Sequence, residues 1–208
     1  MMYKNSIIKI EKNKNSYNLT IKNYLKNSFF IKSFVDTIFS GKSQLGKKEI
    51  KINLIVNDII SLEDLIKEKK LTLELLELLF NSLDQQIKLL EQTNHTISNF
   101  SPKHIFLFNS KISVSLTKFV FLNFNDVYEL ADNKLVIDKP FRIKKYMAPE
   151  LKKVKKVPNR TVTNTAAYWS LASLIDSISK IDIRSTPLDW ALKRCLIKEA
   201  EHRFLLLI

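Results

Sequence analysis

Glycine, cysteine, histidine and long apolar runs are all scarce in this chain of 208 residues, and each scarcity closes off a class of chemistry. Only Gly41 and Gly46 occur, in no Gly-x-Gly-x-x-Gly pattern, so no glycine-rich loop can bring backbone amides against nucleotide phosphates. Cys195 stands alone, which excludes a disulfide framework and a cysteine metal site; it falls on the apolar side of an expected helix, as a small core residue does. His95, His104 and His202 are too scattered to predict a metal centre, and no metal or cofactor is expected. The longest apolar runs, in HIFLFN and the terminal FLLLI, are too short to span a bilayer, and the lysine-peppered N-terminus has no signal-peptide core. These absences predict a cytoplasmic or otherwise intracellular protein in a reducing compartment, with no membrane span.

What the chain has instead is lysine. It carries 29 Lys against 5 Arg and a net charge of +13, with 45% hydrophobic residues, enough to bury a substantial core. Two stretches hold this charge: residues 1–32 net +6 and residues 138–160 net +7, while the rest sums to zero. Such patches attract phosphate, acidic peptide or anionic lipid through fields that salt screens.

Up to about residue 56 the pattern alternates loosely, with strands expected at SIIKIEK, YNLTIKNYL and EIKINLIV and a helix at FFIKSFVDTIF. Beyond Asp58 the chain reads as mostly helical. Ser61 and Asp64 form a capping box for LEDLIKEKK, and a longer helix from Leu73 to about Gln92 sets Leu76, Leu79, Phe80, Leu83, Ile87 and Leu90 on one stripe. IFLF and SVSLTKFVFLNF read as paired strands, residues 125–147 as an irregular basic loop, and Pro149 as the start of a short helix. Ser101 and His104, with Pro102 between them, are more simply a turn than a nucleophile and base. Tyr146 reads as a core or loop-anchoring residue. Thr163 or Thr165 caps the helix AAYWSLASLIDSI, apolar on most sides and therefore central; Thr186, Pro187 and Asp189 open LDWALKRCLIKEA.

SLEDLIKEKK, the helix ending near His95, ISNFSPKHIFLF, FVFLNFN, YMAPE, AYWSLASLI and ALKRCLIKEAEHRF follow one another over residues 55–204 in an order that resembles the large lobe of a protein kinase. The resemblance implies an α+β, protein kinase-like fold: a reduced, strand-rich N-terminal lobe or extension over residues 1–56, and a mostly helical C-lobe over 57–208. It also implies that Glu150 of Ala-Pro-Glu forms a structural ion pair with Arg203.

The chemistry that goes with that family is missing at the matching positions. Phosphoryl transfer uses a carboxylate to orient the acceptor, a second to hold magnesium, an amide ligand, and a lysine on the phosphates. The resemblance puts Asn99 at the catalytic Asp, His104 at the metal-binding Asn, and Asn123-Phe124-Asn125 at Asp-Phe-Gly. Neutral amides do not draw divalent magnesium as carboxylates do. Lys22 in Leu-Thr-Ile-Lys stands faintly where a nucleotide-binding lysine would, with Asp36 as the nearest acidic partner. Ala167 replaces the acid that anchors the catalytic loop.

Packing elements without charged chemistry predict a pseudokinase, and the same segments are similar to the kinase non-catalytic C-lobe domain (KIND), a binding module. The expected function is an inactive, regulatory, protein-interaction role, with Lys139, Arg142, Lys144, Lys145, Lys152, Lys153, Lys155 and Lys156 as a basic binding surface for a protein partner, a true kinase or an acidic segment. The alternatives are an atypical or residual kinase that borrows Asp126, and a basic nucleic-acid-binding protein. The last lacks aromatic interleaving and a helix-turn-helix pattern.

Overall fold

IKIEK and YNLTIK alternate apolar and polar side chains, the period of a strand with one buried face. In a computed structural model these segments are strands β2 (Ile8–Lys12) and β3 (Tyr17–Lys22), with Ile8, Ile10, Tyr17, Leu19 and Ile21 buried. The structure describes residues 3–4, 7–14, 16–22, 28–40, 43–46, 48–110, 117–137, 142–154, 159–163 and 165–203. It divides into two compact units, residues 1–62 with 104–125, and residues 63–103 with 126–208. Both helices and antiparallel sheets are present, an α+β composition. Among the described residues no helix is long and apolar enough to cross a membrane.

In the first unit, β1 (Tyr3–Lys4), β4 (Ser43–Leu45) and β5 (Glu49–Leu54) complete a five-stranded antiparallel sheet in the order β1-β2-β3-β5-β4. Its register sets Ile8 opposite Ile21, Ile10 opposite Leu19, Leu19 opposite Ile52 and Ile21 opposite Ile50. One face is thus a ladder of directly opposed apolar pairs, the unit from which sheets draw stability. Helix α1 (Ser28–Ile38) buries Ile31, Phe34, Val35 and Ile38, a helical stripe. A second sheet in this unit joins β6 (Val56–Ser61), β8 (Ile105–Ser110) and β9 (Lys118–Phe121), all antiparallel. Phe39, just past α1, meets Phe108 of β8 edge-on at 5.0 Å, and Phe34 of α1 meets Phe124, beyond β9, at 5.6 Å. Lys118 donates its ammonium to the Ile38 carbonyl at the end of α1, and burial pushes its pKa below the usual lysine range.

The second unit is built on three helices. In α3 (Leu73–Gln92) all six stripe residues from Leu76 to Leu90 are buried, and Thr72 caps it by accepting from Leu75 N–H. Helix α5 (Ala166–Ile178) lies against both α3 and α6 (Pro187–Cys195). Nine of its thirteen residues are buried, which is why its apolar side chains surround the axis. At the head of α6, Thr186 accepts from Asp189 N–H at 3.2 Å while the Asp189 carboxylate accepts from Ser185 N–H at 3.2 Å. Two N-terminal donors are satisfied in this way.

Residues 125–147 depart from the expected irregular loop. β10 (Val127–Ala131) and β11 (Lys134–Ile137) form a hairpin, and Asp132 and Asn133 between them take φ of 51° and 59°. Two consecutive left-handed residues make the tight turn that matches strand twist, and Asp and Asn are the non-glycine residues that tolerate it best. β7 (His95–Ile97) pairs with β10 and β12 (Asn159–Thr163) with β11, giving the order β12-β11-β10-β7. Thr165 also differs from expectation. It precedes α5 but makes no side-chain cap; its hydroxyl donates to the Ala200 carbonyl at 2.8 Å, tying the helix start to a later turn.

Candidate functional site

Tyr-Met-Ala-Pro-Glu is a packing element first. Met147 and Ala148 are fully buried in a cluster with Leu130, Leu135 and Ile137 of the hairpin, Leu151, and Ala166 of α5. Pro149 then starts α4 (Pro149–Lys152), where its missing N–H costs nothing. This fixes Glu150 on the first turn, turned toward Arg203. The guanidinium grips the carboxylate with two bonds, Nη1 to Oε1 at 2.5 Å and Nη2 to Oε2 at 3.0 Å. It also donates from Nε to the Ile197 carbonyl at 2.6 Å and from Nη2 to the Lys198 carbonyl at 2.8 Å, and lies 4.7 Å from the Trp169 ring centroid. The Arg203 side chain is wholly buried and that of Glu150 is 20% exposed. The two residues expected to pair across fifty positions are therefore in bidentate contact, the strong form of such a bond.

Asn99, at the position the resemblance gives to a catalytic carboxylate, is buried, and its amide nitrogen donates to the next residue's carbonyl, Phe100 O, at 3.1 Å. The following backbone amide, Phe100 N–H, donates to the Ser170 hydroxyl of α5 at 2.7 Å. Ser170 lies one helical turn beyond Ala167. Its hydroxyl, on the same face of the helix, ties the segment after Asn99 to α5, a contact not expected from the sequence.

Asn123 is likewise buried and accepts the Asn125 N–H at 3.2 Å, an Asx-type turn that leads into the 3-10 turn Phe124–Asp126. His104 ends the 3-10 turn Pro102–His104, in line with the reading of Ser101 and His104 as a turn, and its carbonyl accepts from Leu122 N–H at 2.9 Å. Asp126, the carboxylate an atypical kinase would borrow, has a nearly inaccessible side chain paired with the Lys144 ammonium. Its backbone carbonyl accepts from Ser98 N–H at 2.9 Å. A cation of the chain's own sequence occupies it.

Lys22 is exposed at the end of β3, opposite Glu49 in the register. Asp36 is engaged elsewhere: it pairs with Lys32 and accepts from Ser43 N–H at 2.9 Å and Ser43 Oγ at 2.5 Å. Burial opposes its ionisation, but those bonds outweigh burial and bring its pKa down to about 2. A polar groove of about 330 Å³ on the outer face of the five-stranded sheet is lined by Asn18, Thr20, Gln44, Lys51 and Asn53 among others, and Lys22 is not one of them.

Of the basic surface, Arg142, Lys145, Lys152 and Lys153 are exposed. Lys145 lies 4.9 Å from the ring centroid of Tyr146, which is buried and anchors the loop. Lys144 differs from the others in being committed to Asp126. Lys139, Lys155 and Lys156 lie outside the described residues. Among the described residues, no group of three or more His, Cys, Asp or Glu side chains is gathered as a metal site requires. Burial first, then the Asp84 charge, pushes the Cys195 thiol up to about 12 against a smaller opposing pull from Arg203. No protein-family model matches the chain, and no curated protein matches it.

Proposed function

We propose that the chain is a catalytically inactive, protein kinase-like interaction module that holds an acidic segment of a protein partner on its basic segment around Arg142, Lys145, Lys152 and Lys153. The observation that carries this reading is the Glu150–Arg203 pair. A buried bidentate pair between Ala-Pro-Glu and an Arg near the chain's end is what the resemblance demands of a kinase-like large lobe. Further support for inactivity comes from the groups at the catalytic positions. Asn99 and Asn123 are neutral and bonded into their own turns, and Asp126 is paired with Lys144. Magnesium needs open, anionic oxygen ligands. The four exposed cations flank the Tyr-Met-Ala-Pro-Glu turn, which is rigid because Met147 and Ala148 are buried. A KIND-like module would use the same surface, and the same experiment serves both forms of the reading.

The test is binding of a labelled poly-glutamate peptide by fluorescence anisotropy, with the wild type and the reversal R142E/K145E/K152E/K153E. The expected result is binding that salt weakens and the reversal abolishes. Equal binding by the reversed protein contradicts the reading. Preference for generic single-stranded RNA over the peptide, with a steep salt dependence, points to nucleic-acid binding instead. Phosphotransfer that Asn99→Ala abolishes overturns the inactive reading altogether.

A further inference from the structure

Helix α6 is well made on its inner side, where Leu188, Leu192 and Cys195 are buried, yet it holds its largest residue in solvent. Trp190 is 65% exposed, the bulkiest exposed apolar side chain among the described residues. Lys193 lies 5.9 Å from its ring centroid while also pairing with Asp189. Arg194, four residues on from Trp190 and so on the same helical face, is exposed. Residues 180–198 contain five basic and two acidic side chains. An indole flanked by cations offers a flat apolar face and charge on one surface, and Trp and Arg dominate the binding energy of protein interfaces.

We propose that Trp190, Lys193 and Arg194 form a docking point for an acidic segment of another protein that carries a large apolar residue among its carboxylates. The apolar residue covers the indole and the carboxylates pair with the cations. Charge decides the occupant, because a second copy of this chain, at +13, would bring like charge to like. The end of α6 is held firmly in its unit. Arg203 bonds the Ile197 and Lys198 carbonyls just beyond α6 and also Glu150 of α4, so the turn after α6 is pinned to the helix that bears Lys152. This docking point does not depend on the kinase-like reading.

The experiment uses the full chain and a fluorescein-labelled Glu/Asp peptide with two central leucines, a companion with serines in their place, and phosphatidylserine vesicles. The leucine peptide is expected to bind and to shift Trp emission to the blue, a shift absent in Trp190→Phe. Trp190→Ala is expected to weaken binding about thirtyfold, the scale of an interface hot spot. Arg194→Glu weakens it about tenfold or more, and the serine peptide binds correspondingly worse. Both variants change exposed side chains, and unchanged melting curves verify their fold. Binding by Trp190→Ala within twofold of wild type, equal affinity for both peptides, or binding to vesicles but not peptide overturns the proposal. Loss of binding in K152E/K153E with Trp190→Ala unaffected also overturns it, while leaving the basic-segment reading in place.

Discussion

Replacing Glu150 by Ala leaves a fully buried guanidinium with two of its four hydrogen bonds, those to the Ile197 and Lys198 carbonyls. Breaking a buried pair costs about 3–5 kcal/mol, mostly the penalty of the stranded charge. Here the two carbonyls and the Trp169 ring at 4.7 Å keep partial compensation. The low end, about 3 kcal/mol, is therefore expected, and for a chain of this length it lowers Tm by about 6–12 °C. Arg203→Met costs less, about 2 kcal/mol, because the Glu150 carboxylate is 20% exposed and can turn to water. The double variant Glu150→Ala with Arg203→Met removes both charges and should fall short of the sum of the singles by about 2 kcal/mol. Urea unfolding followed by tryptophan emission is the assay, since Trp169 lies against the guanidinium and reports the transition of its own unit. Because the chain has two compact units, far-UV circular dichroism is recorded alongside to test whether the transitions coincide. A Glu150→Ala cost under about 0.5 kcal/mol, or strictly additive singles, would refute the reasoning.

Lys144→Met should strand the Asp126 carboxylate and destabilise by about 3 kcal/mol, with Asp126→Asn in the same background restoring part of the loss in a thermal melt. Asn133→Val places a β-branched residue at φ 59° and should cost about 1–2 kcal/mol, whereas Asn133→Gly is neutral or stabilising by the same measurement. Asp36, with its folded pKa drawn down to about 2, contributes stability that is present above the ordinary carboxylate range and is lost as pH falls toward 2. Acid titration of the native state should thus be less steep between about pH 4 and pH 2 in Asp36→Asn than in wild type. Cys195, with its thiol pushed up to about 12, should resist a thiol reagent at pH 8 in the native protein and react at once in urea; rapid native reaction would mean the helix interface opens.

The helices were legible because their signals are local and periodic. The stripe from Leu76 to Leu90 and the Thr186-Pro187-Asp189 start required nothing beyond the segment itself. Glu150 and Arg203 could be paired only through a resemblance, because nothing local to either residue points to a partner 53 positions away. The hairpin at 127–137 was hidden because its first strand buries Val127 and Leu130, three positions apart, which breaks the period-two alternation, and because Asp-Asn is a weaker turn signal than Asn-Gly. Ser170 and Lys144 were missed for another reason. A serine inside an apolar helix and a lysine among lysines acquire their roles only when Phe100 and Asp126 are brought to them. Trp190 lies off the inward stripe that the periodicity of α6 picks out, on which Leu188, Leu192 and Cys195 are buried, and it is exposed.

The central claim is that charged phosphoryl-transfer chemistry is absent from a kinase-like frame, and melting with and without millimolar Mg-ATP tests it most directly. A protein that bound the nucleotide a hundredfold more tightly than the added concentration would gain about 2.7 kcal/mol, a Tm rise of about 5–11 °C. The account predicts no magnesium-dependent rise. A rise of that size, lost in Asp126→Asn, would contradict it.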